Sequence, residues 1–291
     1  MQNLPQFQQN KLLKEVSTFG IGGPAQFFIQ VFSVEEMQKV LVYCHKEKIP
    51  FFILGKGSNC LFDDQGFEGV VIQNKISYIT IKEQSIDVGS GYSFSLLGAK
   101  SAKEGLTGLE FASGIPASVG GAVFMNAGAN GGETANCLEE VTFINELGNL
   151  LVFMRKDLDF SYRKSPFQQM KGAIVSAKFI LEKSLNAREK QLAIIEYRTR
   201  TQPYQDLSIG CIFKNPIGNS AGALIEKSGL KGLVIGGAEV SPKHANFIVN
   251  RSSATAKDVL ELMNQVQYLV EQSTGIQLEM EIRCIPYKSQ I

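Results

Sequence analysis

Residues 113–132 read SGIPASVGGAVFMNAGANGG, six glycines in twenty residues. Glycine reaches positive φ without strain and lets backbone N–H groups come close to a ligand. Successive N–H groups in such turns form an anion-binding concavity, and a diphosphate is the obvious guest. A second loop, Gly55-Lys-Gly-Ser-Asn59, directly follows the apolar run Phe51–Leu54 and offers the same chemistry plus the Ser58 and Asn59 side chains. Neither loop is the G-x-G-x-x-G fingerprint between strand and helix, and neither is G-x-x-x-x-G-K-[ST]. One such loop alone reads as a tight turn. Two, with Asn59 and Asn126 embedded in them, point to a dinucleotide held without a Rossmann domain.

Outward from these loops, short β-branched runs alternate with helical patterns. Ser33-x-x-Glu36 has the spacing of a capping box. Behind it Met37, Val40, Leu41 and Cys44 share one helical face, and Pro50 closes that region. The runs 69–73, 76–81 and 85–89 read as strands, and Phe94 to Ala102 reads as a helix ended by Gly105. Further strands are expected near 140–144, 150–154, 173–181, 232–237 and 245–250. A charged helix over 187–198 stops before Gln202-Pro203 and marks a domain boundary. The last helix opens with Thr255-x-x-Asp258 and buries Val259, Leu262, Met263, Val266 and Val270. Residues 277–285 alternate as a final strand, with Leu278, Met280 and Ile282 on one face and Glu279, Glu281 and Arg283 on the other. Strands cluster between helices, so the class is α+β. The expected domains are 1–186, in two parts of about 1–70 and 71–186, and 187–291.

The chain has 291 residues, and 29 Lys and Arg nearly balance 28 Asp and Glu. A net charge of +1 gives no reason to expect a nucleic-acid partner. Residues 1–10 lack the basic start and apolar middle of a signal peptide. No apolar run approaches the ~20 residues of a membrane span, so no membrane insertion is expected. The five cysteines are scattered, without a C-x-x-C pair, which argues against a disulfide framework or a zinc site. A reducing cytoplasm is the simplest setting.

Several long motifs resemble, in order, those of the MurB family, the UDP-N-acetylenolpyruvoylglucosamine reductases. They are Thr18-Phe-Gly-Ile-Gly-Gly-Pro-Ala25, the loop 55–59, the run Gly114–Glu133, Ser161-Tyr162-Arg163 with Ser165, Gly210-Cys-Ile-Phe-Lys-Asn-Pro216, and the segment Gly229–Asn250. The resemblance covers nearly the whole chain. It implies a two-part FAD-binding domain of the vanillyl-alcohol-oxidase type and a C-terminal substrate domain. It also implies NADPH as co-substrate and UDP-N-acetylenolpyruvoylglucosamine as the partner. By the same resemblance, Gly55, Lys56, Gly57, Ser58 and Asn59 cradle FAD. So do Ser113, Gly114, Ile115, Pro116, Ser118, Val119, Gly120, Gly121, Asn126, Gly128 and Ala129. Ala117 stands where the family usually has glycine. The chain resembles the shorter form of the family, without its extra tyrosine-bearing loop.

The reaction so implied needs a cation for a carboxylate on which charge builds, a proton donor, and a group that steadies the intermediate. Arg163 matches the cation, since a guanidinium stays charged and forks onto a carboxylate. Cys211 matches the proton donor where the family usually carries serine. A thiol, with a reference pKa of about 8.5, releases its proton more readily than an alkyl hydroxyl. Glu281, in Glu-x-Arg with Arg283, matches the third role, although spacing alone would not choose it over Glu279. Lys214 and Asn215 are candidates for the UDP phosphates and sugar, and His244 for a contact with substrate. Taken alone, a surface lysine or a lone histidine is as readily structural. Two other readings stand beside this one: a flavin oxidase of the same FAD fold, and a sugar-nucleotide binder without catalysis.

Overall fold

Ser33 opens the first helix as its spacing requires. In a computed structural model of the chain, which describes residues 5–288, α1 runs Val34–Lys46 and the Ser33 side chain accepts from the Glu36 N–H. The return half of the capping box differs from expectation. The Glu36 carboxylate accepts from the Phe32 N–H at 2.6 Å, one residue before the cap. Met37, Val40, Leu41 and Cys44 are buried and cluster with Val31, Val70 and Ile72 and with Ile144, Ala173 and Val175. Burying one such side chain contributes roughly 1.5–3 kcal/mol, so the stripe alone fixes the helix to the sheets beneath it.

Two units account for the described residues. The first holds residues up to Gln8, Phe27–Lys56 and Gly69–Arg198; the second holds Gln9–Gln26, Gly57–Glu68 and the described chain from Thr199 onward. Compactness therefore groups two N-terminal segments with the C-terminal third, whereas the sequence boundary was expected at 187. Strands Pro24–Val31 and Phe67–Asn74 each pass through a unit boundary, so covalent continuity hides the division from a linear reading.

In the first unit, Phe51–Leu54 pairs in parallel with the second half of Phe67–Asn74, from Phe51 opposite Val70 to Leu54 opposite Gln73. A five-stranded sheet has the order 150–154, 138–145, 172–180, 85–89, 79–82, and every pairing in it is antiparallel. Its inner face is covered by α2 (Phe94–Lys103) and α3 (Val119–Phe124) through Phe94, Leu97, Val119, Ala122 and Val123. Gly105 follows α2 at φ +72°, the left-handed stop expected of it. The charged helix α4 (Ala187–Thr201) buries only Ala187, Gln191 and Arg198.

The second unit is built on a four-stranded sheet, in the order 208–211, 247–250, 238–240, 234–235. The strand Ala238–Val240 within it was not expected; it is three residues long, too short for a period to register. Helix α5 (Ala221–Lys227) was also missed. Helix α6 (Ala256–Thr274) begins with a complete capping box between Thr255 and Asp258 and buries the five expected residues. The Asp64 carboxylate adds two bonds to its first turn, accepting from the N–H groups of Ala256 at 2.7 Å and Lys257 at 3.1 Å. The expected strand 277–285 shrinks to Arg283–Ile285, paired in parallel with Cys60–Phe62. Its alternation also fails at Met280, which is 44% exposed while Leu278 and Ile282 are buried. Among the described residues no helix is long and apolar enough to cross a membrane.

Candidate active site

The loop after Leu54 is held open by its own geometry. Gly57 has φ +67°, and a Cβ on it would lie 2.4 Å from the Val16 carbonyl oxygen, so no other residue fits. Among the described residues, the backbone N–H groups of Lys56, Gly57 and Ser58 have no acceptor. Three unpaired donors in successive residues form a nest for an anion. The Lys56 ammonium donates to Ser93 Oγ at 2.8 Å. Burial first, and the nearby Lys75 second, hold its pKa below the usual lysine value. A bound diphosphate would relieve both penalties.

In the first unit, Gly55 and Lys56 lie against the glycine-rich segment and its bridge partner Ser93. A Cβ on Gly55 would sit 2.4 Å from Ser118 Oγ. Ser118 caps α3 and bridges Ser93, the residue that Lys56 holds. The start of α3, however, is not an open donor site. Val119 donates to the Tyr92 carbonyl at 2.9 Å and Gly120 to the Ser90 carbonyl at 2.8 Å. Gly121 donates to Ser118 Oγ at 3.3 Å. The N–H groups of Ser113 and Ile115 are also engaged, and that of Gly114 donates to Ser95 Oγ at 2.8 Å. In this segment glycine also serves close packing, as where a Cβ on Gly120 would meet Ser90 Cβ at 2.9 Å. What the segment presents is partly exposed backbone at Gly114, Ile115, Gly120, Gly121, Gly128 and Ala129, with Pro116 exposed. Ser113 Oγ is buried without a hydrogen-bond partner, an orphan group of the kind a ligand satisfies. The donor set of the first loop and the close-approach surface of the second suit a dinucleotide's diphosphate and planar ring respectively.

Asn126 is fully buried, and both ends of its amide are engaged. It donates to the Ser161 carbonyl at 3.0 Å and accepts from the Ala135 N–H at 3.0 Å. Its side chain supports the turn that carries Arg163. Val119 is likewise fully buried, and its side chain belongs to the core. Arg163 is half-buried, has φ +60°, and lays its guanidinium over the Tyr162 ring at 4.9 Å.

In the second unit, Cys211 ends the strand Ser208–Cys211 just after Gly210, at φ +82°, where the pairing with 247–250 shifts register. Open space surrounds Gly210, so the glycine is required by the bulge and not by crowding. The chain beyond it runs beside 279–281. The Glu281 N–H donates to the Ile212 carbonyl at 2.7 Å, and the Lys214 N–H donates to the Glu279 carbonyl at 2.8 Å. Cys211 and Glu281 thus belong to neighbouring extended segments. Asn59 fastens the same region: its amide donates to the Glu281 carbonyl at 3.5 Å, and its carbonyl accepts from the Arg283 N–H at 3.0 Å. Lys214 pairs with the exposed Glu279. That contact separates two glutamates the sequence could not tell apart.

Asn215 Oδ1 accepts from the Ala221 N–H at 3.0 Å and so helps start α5. His244 Nδ1 accepts from the Asn246 N–H at 3.3 Å, and its ring meets Phe247 edge-on at 4.8 Å. Asn246, which the sequence did not single out, is buried and binds Phe213 at both backbone groups, at 3.0 and 2.8 Å. It steadies the strand that carries Cys211. Arg198 was missed as well. It is buried, with its guanidinium 3.2 Å from the Gly114 carbonyl. A basic residue at a buried position of an otherwise charged helix leaves no trace in periodicity.

Burial raises the Cys44 and Cys137 thiols to about 12, which leaves them inert.

Family models match two stretches of the chain. Residues 202–285 match the C-terminal domain of UDP-N-acetylenolpyruvoylglucosamine reductase, and residues 25–153 match an FAD binding domain. The UDP-N-acetylenolpyruvoylglucosamine reductase of Protochlamydia amoebophila (strain UWE25) is 58% identical over 283 residues, covering 97% of this chain and 95% of that protein. The reductase of the same name from Chlamydia muridarum is 51% identical, covering 98% and 96%. Among solved structures, UDP-N-acetylenolpyruvylglucosamine reductase (MurB) from Thermus caldophilus matches with a TM-score of 0.82 at 38% identity, over 97% of this chain and 99% of that one.

Proposed function

The chain belongs to the UDP-N-acetylenolpyruvoylglucosamine reductase (MurB) family, and from that membership we propose how its own residues perform the reaction. The activity is the NADPH-dependent, FAD-mediated reduction of UDP-N-acetylglucosamine enolpyruvate to UDP-N-acetylmuramate, a step in peptidoglycan precursor synthesis. FAD, when bound, supplies hydride chemistry, accepting from NADPH and giving to the terminal enolpyruvyl carbon.

The N–H groups of Lys56, Gly57 and Ser58, with the Lys56 ammonium, hold the FAD diphosphate. The backbone from Gly114 to Gly121, with Gly128 and Ala129, lines the flavin. Arg163 forks onto the substrate carboxylate and takes up the charge that grows there. Cys211 gives its proton to the carbon next to the one reduced. Glu281 steadies the charge-separated state between these steps. Lys214 and Asn215 meet the UDP-sugar, with His244 beside them. Lys214 exchanges Glu279 for phosphate when it does so, since a diphosphate is the stronger partner for an ammonium. Residues 1–186 form the cofactor domain, which lends Arg163 to the substrate, and 187–291 the substrate domain; the two matched family models, over 25–153 and 202–285, support this division. The cytosol is the compartment of this work.

One observation carries the assignment of Cys211 and Glu281. The Glu281 N–H is bonded to the carbonyl of the residue after Cys211, while Glu279 is paired with Lys214. The test of the activity is an anaerobic flavin spectrum of the purified, FAD-loaded protein. Bleaching by NADPH and recovery on adding the enolpyruvyl UDP-sugar is expected. Bleaching without recovery would transfer the case to an oxidase, and failure to bind FAD would leave only a binder.

A further inference from the structure

Arg163 sits at φ +60°, a conformation a side-chain-bearing residue keeps only where its surroundings enforce it. Gln168 does much of the enforcing. It lies within the turn Pro166–Gln169. Its Nε2 donates to the Arg163 carbonyl at 3.0 Å and to the Phe124 carbonyl at 3.0 Å. Phe124 is the last residue of α3, where helix carbonyls lack intrahelical partners. Ser165 Oγ donates to the same oxygen at 2.7 Å. On the other side, Asn126 donates to the Ser161 carbonyl at 3.0 Å. Ser161 and Lys164 close the turn on each other through two backbone bonds, at 3.2 and 2.9 Å. Two carboxamides thus fasten the turn 161–164 to the end of α3.

We propose that Gln168 is a positioning residue for the reduction. By binding the carbonyls of Arg163 and Phe124 at once, it holds the turn in the shape that aims the Arg163 guanidinium, before substrate arrives. This rests on Arg163 being the group that meets the substrate carboxylate. The chemistry of the clamp is specific. Only a side chain with two N–H donors of this length bonds two carbonyls. Glutamate would set a carboxylate against both oxygens, and methionine would offer no donor. Misplacing a catalytic group by about 1 Å can cost on the order of 100-fold in rate.

The test is a double-mutant cycle on the FAD-loaded protein, with Gln168→Met, Gln168→Glu, Arg163→Ala and each pair. FAD affinity is read separately by flavin fluorescence. In the wild-type background Gln168→Met should lower kcat about tenfold, and Gln168→Glu further at neutral pH. Gln168→Glu should recover partly as the pH falls and its carboxyl regains an O–H donor. FAD affinity should stay within about twofold. In the Arg163→Ala background neither variant should lower turnover further. If Arg163→Ala itself leaves turnover intact, the assignment of Arg163 fails. If Arg163→Ala is severe but the Gln168 variants multiply with it, or leave kcat unchanged, the clamp is overturned while Arg163 stands.

Discussion

The two glycine-rich loops use the same residue for opposite ends. Around Gly57, the backbone donors of Lys56, Gly57 and Ser58 have no acceptor among the described residues. At the start of α3, glycine lets the chain pack closely against Ser90, and the Tyr92 and Ser90 carbonyls take the N–H groups of Val119 and Gly120. Glycine density therefore does not report an anion site by itself. What decides is whether the amides released by tight turns find protein carbonyls first.

The sharpest way to break this contrast is Gly57→Ala. The added methyl meets the Val16 carbonyl, and the left-handed backbone is strained. FAD affinity of the apoprotein, titrated by fluorescence, should fall by more than about 100-fold (near 3 kcal/mol). Retention of affinity would remove the nest from the account. Lys56→Met should cost about tenfold, since one charge-assisted contact is lost. Its pH dependence has a definite sign. The apoprotein lysine titrates below its ordinary value because of burial, and a bound diphosphate raises it. The contribution of Lys56 is therefore fully present below the apoprotein pKa and disappears as the pH climbs through the bound-state pKa. Lys56→Met should flatten that alkaline decline; an unchanged profile would assign it to another group. The smallest effect belongs to Gly121→Ala. Gly121 lies in α3 with an ordinary φ, and the new Cβ would approach only Ser118 Oγ, at 3.3 Å. Affinity should stay within about threefold, as the helix gains from alanine roughly what the contact costs. A loss as large as that at Gly57 would show that both loops bind through their amides.

Much of this molecule was legible in its sequence. Long amphipathic helices declared themselves: α1 and α6 bury the faces their spacing predicts, because apolar burial dominates where the pattern is regular. The class followed from strands clustered between helices, and the family from long motifs. Other features were hidden for physical reasons. Strands of two or three residues, such as Ala238–Val240, carry no period. The grouping of Gln9–Gln26 and Gly57–Glu68 with the C-terminal third depends on packing distant in sequence. Glu279 and Glu281 share a pattern and are told apart by burial and partners: Glu279 is exposed and pairs with Lys214, while Glu281 is half-buried with its N–H on the segment after Cys211. Asn126 stands among glycines, and nothing in the sequence shows that its buried amide supports the Arg163 turn.

That partner-based choice makes its own prediction: Glu281→Gln should lower kcat at least tenfold more than Glu279→Gln, and equal small effects would cancel it.

Cys211 stands where the resemblance leads one to expect serine, and the proposed chemistry turns on its role. The measurement is steady-state turnover of FAD-loaded Cys211→Ser and Cys211→Ala with NADPH and the enolpyruvyl UDP-sugar. The serine variant should keep activity within about tenfold of wild type, and the alanine variant should lose on the order of 100-fold or more, the usual worth of a positioned proton donor. An alanine variant that turns over like wild type would contradict the account.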